Sequence, residues 1–184
     1  MLRIGVILAV VCGLLIGAGS WLGSLKHSGP QPGAVHTPDN SDYYMQGATV
    51  YQLSKQGQLA YRMNVGQTLH FADDSARLSD IDVHYLKGTK TYWNLHAAKG
   101  RVPAGEHDLY LYDGVVIHHP RVNGNVVKVT TSHAWVRPRA NRVDSDAHVT
   151  AIEPGQKVTG DGMLINLDTN KLKLLNNVHV TYSP

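Results

Sequence analysis

Two segments that lie far apart in the chain repeat the same arrangement of apolar residues, and this repetition constrains the fold more than any other feature. The segments are LYLYDGVVI (Leu109–Ile117) and LKLLNNVHV (Leu172–Val180), which share the skeleton L-x-L-x-x-x-V-x-(I/V). A repeated skeleton indicates that one supersecondary unit is used more than once, because each unit alone buries too little apolar surface. The sequence therefore predicts a domain built from stacked copies of one short unit.

In full register the repeat occurs three times, in units that begin at Ala97, Thr131 and Gly160. Apolar residues follow in each unit at offsets of 5, 12, 18 and 20, without a gap. In order of offset, they are Val102, Val136 and Ile165; Leu109, Val143 and Leu172; Val115, Val149 and Val178; Ile117, Ala151 and Val180. A fourth, degraded copy ends near Val83 and Tyr85. The unit starts are 34 and 29 residues apart, so the length varies only between units, where loops belong.

Each unit has the pattern of an antiparallel hairpin. Segments such as VVKVTTSHAWV alternate between apolar and polar residues with period two, and turn-like breaks such as RPRAN and DTNK follow them. The apolar parity changes between offset zero and offset three or five, so the strand must bulge or turn a corner there. We therefore expect an all-β fold in which two curved sheets cover a shared interior, as in an open β-jellyroll or a half-open barrel.

The amino-terminal segment differs from the rest of the chain. Residues 4–25 carry no charge, and a helix of this length spans about 30 Å, the thickness of the hydrocarbon core of a bilayer. We expect a cytoplasmic tail at 1–3, one transmembrane helix at 4–25 and a linker rich in proline and glycine at 26–42. A cleaved signal peptide is the alternative. Because short N-terminal tails usually stay inside, residues 43–184 are expected outside the cytoplasm as one β domain.

Charge and cysteine content exclude several classes of protein. After residue 26 the chain carries 15 Lys and Arg against 14 Asp and Glu, a net charge of +1, which does not suit a nucleic-acid-binding protein. Cys12 is the only cysteine and lies within the apolar segment, so the β domain has neither a disulfide nor a reactive thiol. This suits a periplasmic domain better than a disulfide-dense extracellular one.

The polar residues give no signature of an enzyme. Eleven histidines invite a metal-site hypothesis, but no H-E-x-x-H, nucleophile elbow or phosphate-binding loop is present. We expect no cofactor and no metal, and we expect His118, His148 and His179 to face solvent. Asp144 and Asp146 share an outer face, where a hydrolase pair is the alternative. RPRANR (residues 137–142) is interpreted as a solvated hairpin tip, with lipid phosphates as the alternative ligand.

Several motifs occur in the order typical of one family. They are DYYM…G…YR near residue 42, WNLHAAKG, and the terminal GDGM…LLNNVHVTY. With the membrane segment and linker before them, they cover nearly the whole chain, which resembles the LptC family of lipopolysaccharide-export proteins.

The resemblance implies an open β-jellyroll in the periplasm, anchored in the inner membrane by one helix. It implies that lipopolysaccharide arrives from an ABC transporter (LptF/LptG with the LptB ATPase) and passes to LptA. The transporter would supply the energy, and the helix would modulate it. The alternative is a membrane-anchored β scaffold that docks partners without carrying lipid.

On this interpretation the apolar side chains of the repeat line a lipid groove. The expected groove residues are Val102, Leu109, Leu111, Val115, Ile117, Val136, Val143, Val149, Ile165, Leu172, Leu174, Val178 and Val180. By resemblance, the first strand, about Met45–Leu53, meets the transporter through Met45, Thr49, Tyr51 and Leu53. The last strand meets LptA through Leu172, Val178, Val180, Thr181 and Tyr182. For Trp93 and Trp135 the sequence leaves open whether they close the groove or only fill it.

Overall fold

The structure is a computed structural model that describes residues 40–54, 56–87 and 90–182. The expected cytoplasmic tail, the expected membrane helix and nearly all of the expected linker lie outside these residues. Within the described residues, no helix is both long enough and apolar enough to cross a membrane.

The described chain forms one antiparallel sheet of nine strands, in which each strand pairs with the next one in sequence. The strands are β1 Tyr43–Leu53, β2 Leu59–His70, β3 Ala76–Lys87, β4 Lys90–Val102, β5 Leu109–Pro120, β6 Val126–Arg137, β7 Arg142–Glu153, β8 Gln156–Asn166 and β9 Lys171–Tyr182. A short 3₁₀ helix, Pro138–Ala140, connects β6 to β7. The all-β antiparallel prediction is confirmed, but the two separate sheets of the prediction are one continuous sheet.

The repeat unit corresponds to the second half of an even-numbered strand, the following turn and the whole of the next strand. In β5, Leu109, Leu111, Val115 and Ile117 are buried, as the alternation predicts. We call the face that carries these side chains the inner face. The tight connections use residues that tolerate positive φ, such as Asn141 at 47° in the β6–β7 turn.

A line of irregular residues crosses the middle of the sheet. The register of neighbouring strands shifts there from β4 to β9, for example between Tyr112 and Val115 in β5. Positive φ angles accompany the shifts at Asp113, Gly162 and Asn177. The bulge predicted from the parity change is therefore present, and it bends the strands from β4 onward near their centres. In β3, Asp80 with φ of 54° marks the corresponding point.

The bent sheet coils over itself. The Nε1 of Trp93 in β4 donates a hydrogen bond of 3.2 Å to the Oδ1 of Asn170 in the β8–β9 turn. In a flat sheet these strands would lie roughly 20 Å apart, since neighbouring strands are about 4.8 Å apart. The coil therefore brings one end of the early strands against the opposite end of the late strands.

One apolar core fills the space inside the coil and receives side chains from β2 to β8. Val83 and Tyr85 of the degraded fourth copy belong to it, and they lie in β3. In β3 the core residues on either side of the bend, Leu78 and Ile81, are three positions apart, whereas Leu111 and Val115 in β5 are four apart. This shorter bend explains why the inner positions of the fourth copy match the repeat poorly.

Candidate functional site

The centre of the predicted groove is sealed. Seven of its residues have only 0–1% of their surface exposed: Leu111, Val115, Ile117, Val136, Val143, Val149 and Ile165. Leu109 is 6% exposed. The interior at this level is packed side chain against side chain, because the two halves of the bent sheet meet there. The groove that we expected to be open along its whole length is thus closed over these residues, and an acyl chain could reach them only by replacing core contacts.

The remaining predicted groove residues lie closer to the surface. Val102, Leu172 and Leu174 are half-buried and pack against the core. Val178 and Val180 are 48% and 47% exposed. Their strand neighbour β8 places them on the inner face, since Val180 pairs with Val158, which packs against the core. The inner face is therefore accessible at the last strand and closed in the middle.

The first strand, β1, also has exposed apolar side chains, and they lie on both of its faces. Met45 is 45% exposed, and its partner Thr68 lies opposite the buried Leu78 of β3, so Met45 lies on the inner face. Thr49 and Tyr51 lie on the outer face, where Thr49 donates a hydrogen bond of 3.2 Å to Asn64 Oδ1. Leu53 is 55% exposed at the end of the strand. The residues expected to meet the transporter are thus divided between the two faces of β1.

Both edge strands lack a second neighbour within the described chain, since β1 pairs with β2 alone and β9 with β8 alone. Thirteen large apolar side chains are exposed in the described part of the chain, and of these six lie on β1 and four on β9. Natural sheets usually protect such edges with charges or proline. Two apolar, unpaired edges are the feature of this molecule that most resembles an interaction site.

A cleft of about 760 Å³ opens where the coiled sheet brings hairpin ends together, and sequence reasoning missed it. Its apolar lining comes from separate hairpins: Leu53, Tyr61, Tyr85, Leu86, Tyr92, Trp93 and Leu167. Tyr61 and Tyr85 lie ring to ring, with centroids 5.3 Å apart. Burial raises the pKa of both phenols, so both remain protonated at physiological pH. The cleft joins the end of β1 to the interior of the coil.

The outer face carries cross-strand pairs of histidine and aspartate. His133 Nε2 lies 2.6 Å from Asp146 Oδ1, and His148 Nδ1 lies 2.9 Å from Asp161 Oδ1. The hydrogen bond from His133 holds the pKa of Asp146 below its usual value of 3.8. These pairs are exposed, so they stabilise the fold only weakly. His118 is half-buried, whereas His148 and His179 are exposed.

The two carboxylates of the candidate hydrolase pair are each engaged by neighbouring basic side chains. Asp144 accepts hydrogen bonds from Arg137 Nε at 2.9 Å and from Arg142 Nε at 3.0 Å. Both hydrogen bonds are accepted by the same carboxylate oxygen, and Asp146 pairs separately with His133. Arg137 also donates to Asp108 at 2.6 Å, so this arginine is committed to a local ion-pair network. Within RPRANR, Arg139 is exposed at the hairpin tip.

The two tryptophans have different places. Trp93 is 1% exposed and fills the interior beside the cleft, with its indole stacked on His119 at 4.1 Å between ring centroids. Trp135 lies half-buried on the outer face against Tyr110.

One further group, Asp80, Asp82 and His96, brings three potential metal-ligand atoms within 4.8 Å of one another on the outer face. Asp82 already pairs there with His96 at 3.1 Å.

Comparison with known proteins gives a family match over most of the chain. The family described as "Lipopolysaccharide-assembly, LptC-related" matches residues 6–183. Among solved structures, the chain is similar to the crystal structure of LptH from Pseudomonas aeruginosa, described as the LptA homologous periplasmic component of the lipopolysaccharide transport device. The identity is 10%, the TM-score is 0.44, and the match covers 77% of this chain and 94% of that one. No curated protein matches.

Proposed function

The chain belongs to the LptC-related family of lipopolysaccharide-assembly proteins, and from this premise we propose that it is a lipid-binding component of lipopolysaccharide export. In this proposal the β domain receives the lipid from the inner-membrane ABC transporter (LptF/LptG with the LptB ATPase). It then passes the lipid to LptA. A helix formed by residues 4–25 anchors the chain as a single-pass protein of the inner membrane.

The observation that carries the proposal is the exposure of apolar side chains on the two unpaired edge strands. An extended strand of a partner can add to such an edge through main-chain hydrogen bonds, while its alternate side chains contact the exposed apolar ones. One edge at each end of the sheet allows one partner on each side. We assign β1 to the transporter and β9 to LptA, so that the lipid moves between them along the inner face and displaces the core contacts at its sealed centre.

The role is passive. Acyl chains in water cost about 0.8 kcal/mol for each exposed CH₂ group, so a protein that covers them removes this barrier without any chemical step. The side chains lining the interior are mostly apolar, and the buried hydroxyls of Thr131 and Ser145 there lie 3.3 Å apart, within hydrogen-bonding distance of each other. The energy for movement comes from ATP hydrolysis by the transporter.

Site-specific photo-crosslinking tests the lipid path. A photoreactive residue at Val180, on the accessible part of the inner face, should give an adduct with lipopolysaccharide in cells. The same residue at the adjacent His179, which is exposed on the opposite face, is the matched control and should give none. Equal adducts at both positions would contradict a path along the inner face.

The sealed centre of the roll favours one other function, that of a scaffold that docks partners without carrying lipid. The two functions differ at Val149, which is fully buried. In a carrier, a photoreactive residue at Val149 gives a lipid adduct whose yield rises when the transporter is supplied with ATP. In a scaffold, position 149 gives no adduct with or without ATP, although β1 and β9 still dock their partners.

The proposed anchor has its own test. A chain that starts near Asp39 should still bind lipopolysaccharide and LptA, because both proposed contacts lie in the β domain. It should lose the effect of residues 4–25 on the rate of ATP hydrolysis by the transporter. Identical ATPase rates with the full chain and the shortened chain would remove the regulatory part of the proposal.

A further inference from the structure

We propose that the cleft at the hairpin ends is a binding site for one acyl chain, and that Tyr85 donates a hydrogen bond to the carbonyl that links this chain to its headgroup. The inference rests on the proposed function and deepens it, because it names the part of the lipid that is recognised. It concerns a site separate from the sealed centre of the roll.

The first observation is the state of the Tyr85 hydroxyl. Tyr85 is 8% exposed, and its hydroxyl oxygen is buried without a hydrogen-bond partner among the described residues. A buried hydroxyl without a partner costs free energy, and natural proteins rarely keep one without a reason. Tyr85 lines the cleft and its hydroxyl is covered by neighbouring side chains, so a ligand that enters the cleft and displaces one of them can supply the missing acceptor.

The second observation is the chemistry of the cleft. Aromatic and aliphatic side chains form about half of its lining, and polar groups from the turns and strand ends, such as Ser54, Arg139 and Asp168, form the rest. The Tyr85 phenol stays protonated, because burial raises its pKa, so it acts as a donor. The matching ligand has an apolar chain and a neutral acceptor beside that chain. An ester or amide carbonyl at the head of an acyl chain has this arrangement.

The third observation is the position of the cleft relative to the edge. Gln52 and Leu53, at the end of β1, belong to its lining. The cleft is thus continuous with the edge that we assign to the transporter, from which a lipid would enter. Its volume of about 760 Å³ lies within the range of ordinary small-ligand pockets, so it accommodates one chain rather than a whole multi-acyl lipid.

The experiment compares two probes that differ in the carbonyl alone. The full chain is purified in a maltoside detergent, which has no carbonyl, and binding is measured for a monoacylglycerol ester and for its alkyl ether analogue. The wild type should bind the ester about tenfold more tightly, the value of one good hydrogen bond. Tyr85→Phe should remove this preference without lowering the melting temperature. Tyr61→Phe, in the same cleft, is the matched control and should keep it.

Several results would overturn the inference. Equal binding of ester and ether by the wild type would show that no donor meets the carbonyl, as would be the case if water occupied that position. If Tyr85→Phe weakened the binding of the ester and of the ether equally, Tyr85 would contribute to the cleft by packing alone. A photoreactive residue at Leu167 that links to residues 1–39 of the same chain, or to a second copy, would show that protein rather than lipid fills the cleft.

Two further arms identify the source of the acyl chain and separate this inference from the proposed function. Lipid A and phosphatidylethanolamine both carry acyl carbonyls, and the one whose binding falls about tenfold in Tyr85→Phe is the one that uses the site. If Val180 still forms lipopolysaccharide adducts while the ester preference is absent, the cleft inference fails and the proposed function stands. If Val180 forms no such adduct while the ester preference is present, the proposed function fails and the cleft inference stands.

Discussion

The centre of the roll and its last edge strand, β9, are built from the same repeat, yet they differ in how far their apolar side chains are buried. Val149 in β7 and Val178 in β9 occupy the same repeat offset, and they are 0% and 48% exposed. The difference arises because β7 lies inside the coil with a paired strand on each side, whereas β9 is paired with β8 alone among the described residues. The same local sequence thus makes a core in one place and an accessible apolar surface in the other.

The first prediction tests this contrast directly and has the largest expected effect. Val149→Ala should lower the free energy of unfolding by about 2–3 kcal/mol, because it removes buried methyl groups and leaves a cavity. Val178→Ala, the same change at the same offset, should cost less than about 1 kcal/mol. Denaturant unfolding of both variants measures the difference. Equal losses would mean that the edge is as tightly packed as the centre.

The second prediction concerns main-chain docking at β9. Proline has no N–H to donate, and neighbouring residues in an antiparallel edge strand alternate between N–H groups directed inward and outward. Of Thr181→Pro and Val180→Pro, one should therefore keep the wild-type melting temperature. We expect that one to weaken LptA binding about tenfold or more. Thr181→Ser, which keeps the N–H, is the control. Wild-type binding by the folded proline variant would remove β9 as the docking edge.

The third prediction separates the two edges, with a smaller effect. Tyr182 on β9 is 74% exposed and Tyr51 on β1 is 62% exposed, so neither stabilises the fold much. Tyr182→Ser should weaken binding of LptA alone, and Tyr51→Ser should weaken binding of the transporter alone, each by about fivefold, a typical value for a partly buried aromatic contact. Pull-down titrations with each partner measure this. Loss of both partners in either variant would show that the edges are not independent.

The fourth prediction has the smallest effect and concerns the outer face. Because His133 holds the pKa of Asp146 below 3.8, the pair stabilises the fold above that pH. The contribution is lost as the pH falls through the lowered pKa. His133→Ala should return the pKa of Asp146 toward 3.8, as read by NMR titration of its carboxyl group. The melting temperature near pH 7 should hardly change, since the pair is exposed. An unchanged pKa would show that the pair does not form in solution.

The repeat was enough to predict most of the fold. Fixed offsets of period-two apolar residues predict hairpins, and the parity change at Ala97, Thr131 and Gly160 predicts the bend. Both predictions depend on the order of apolar and polar residues within one or two strands, so they can be made from the sequence. The single continuous sheet was not predicted, because the bend keeps the strand pairing intact across the corner and parity alone does not distinguish a bent sheet from two sheets.

The candidate site was less accessible to sequence reasoning. The inward direction of Val178 follows from its repeat offset, but its exposure depends on the place of β9 at the edge of the described sheet, which no local pattern records. The cleft was missed for a similar reason. Leu53, Tyr85 and Leu167 belong to three different hairpins, and only the coiling of the sheet brings them together. Apolar residues near strand ends were the only signal, and they are common in any hairpin.

The strictly sequential pairing of β1 to β9 has a consequence for how the chain acquires its structure. Each strand meets its partner as soon as the next hairpin exists, so the pairing contacts are short in sequence separation, which favours fast folding. A chain delivered from its amino terminus, by a ribosome or a translocation channel, can add strands one at a time to a growing sheet. The same order means that duplication or deletion of one hairpin unit changes the length of the roll and leaves its two terminal strands as they are.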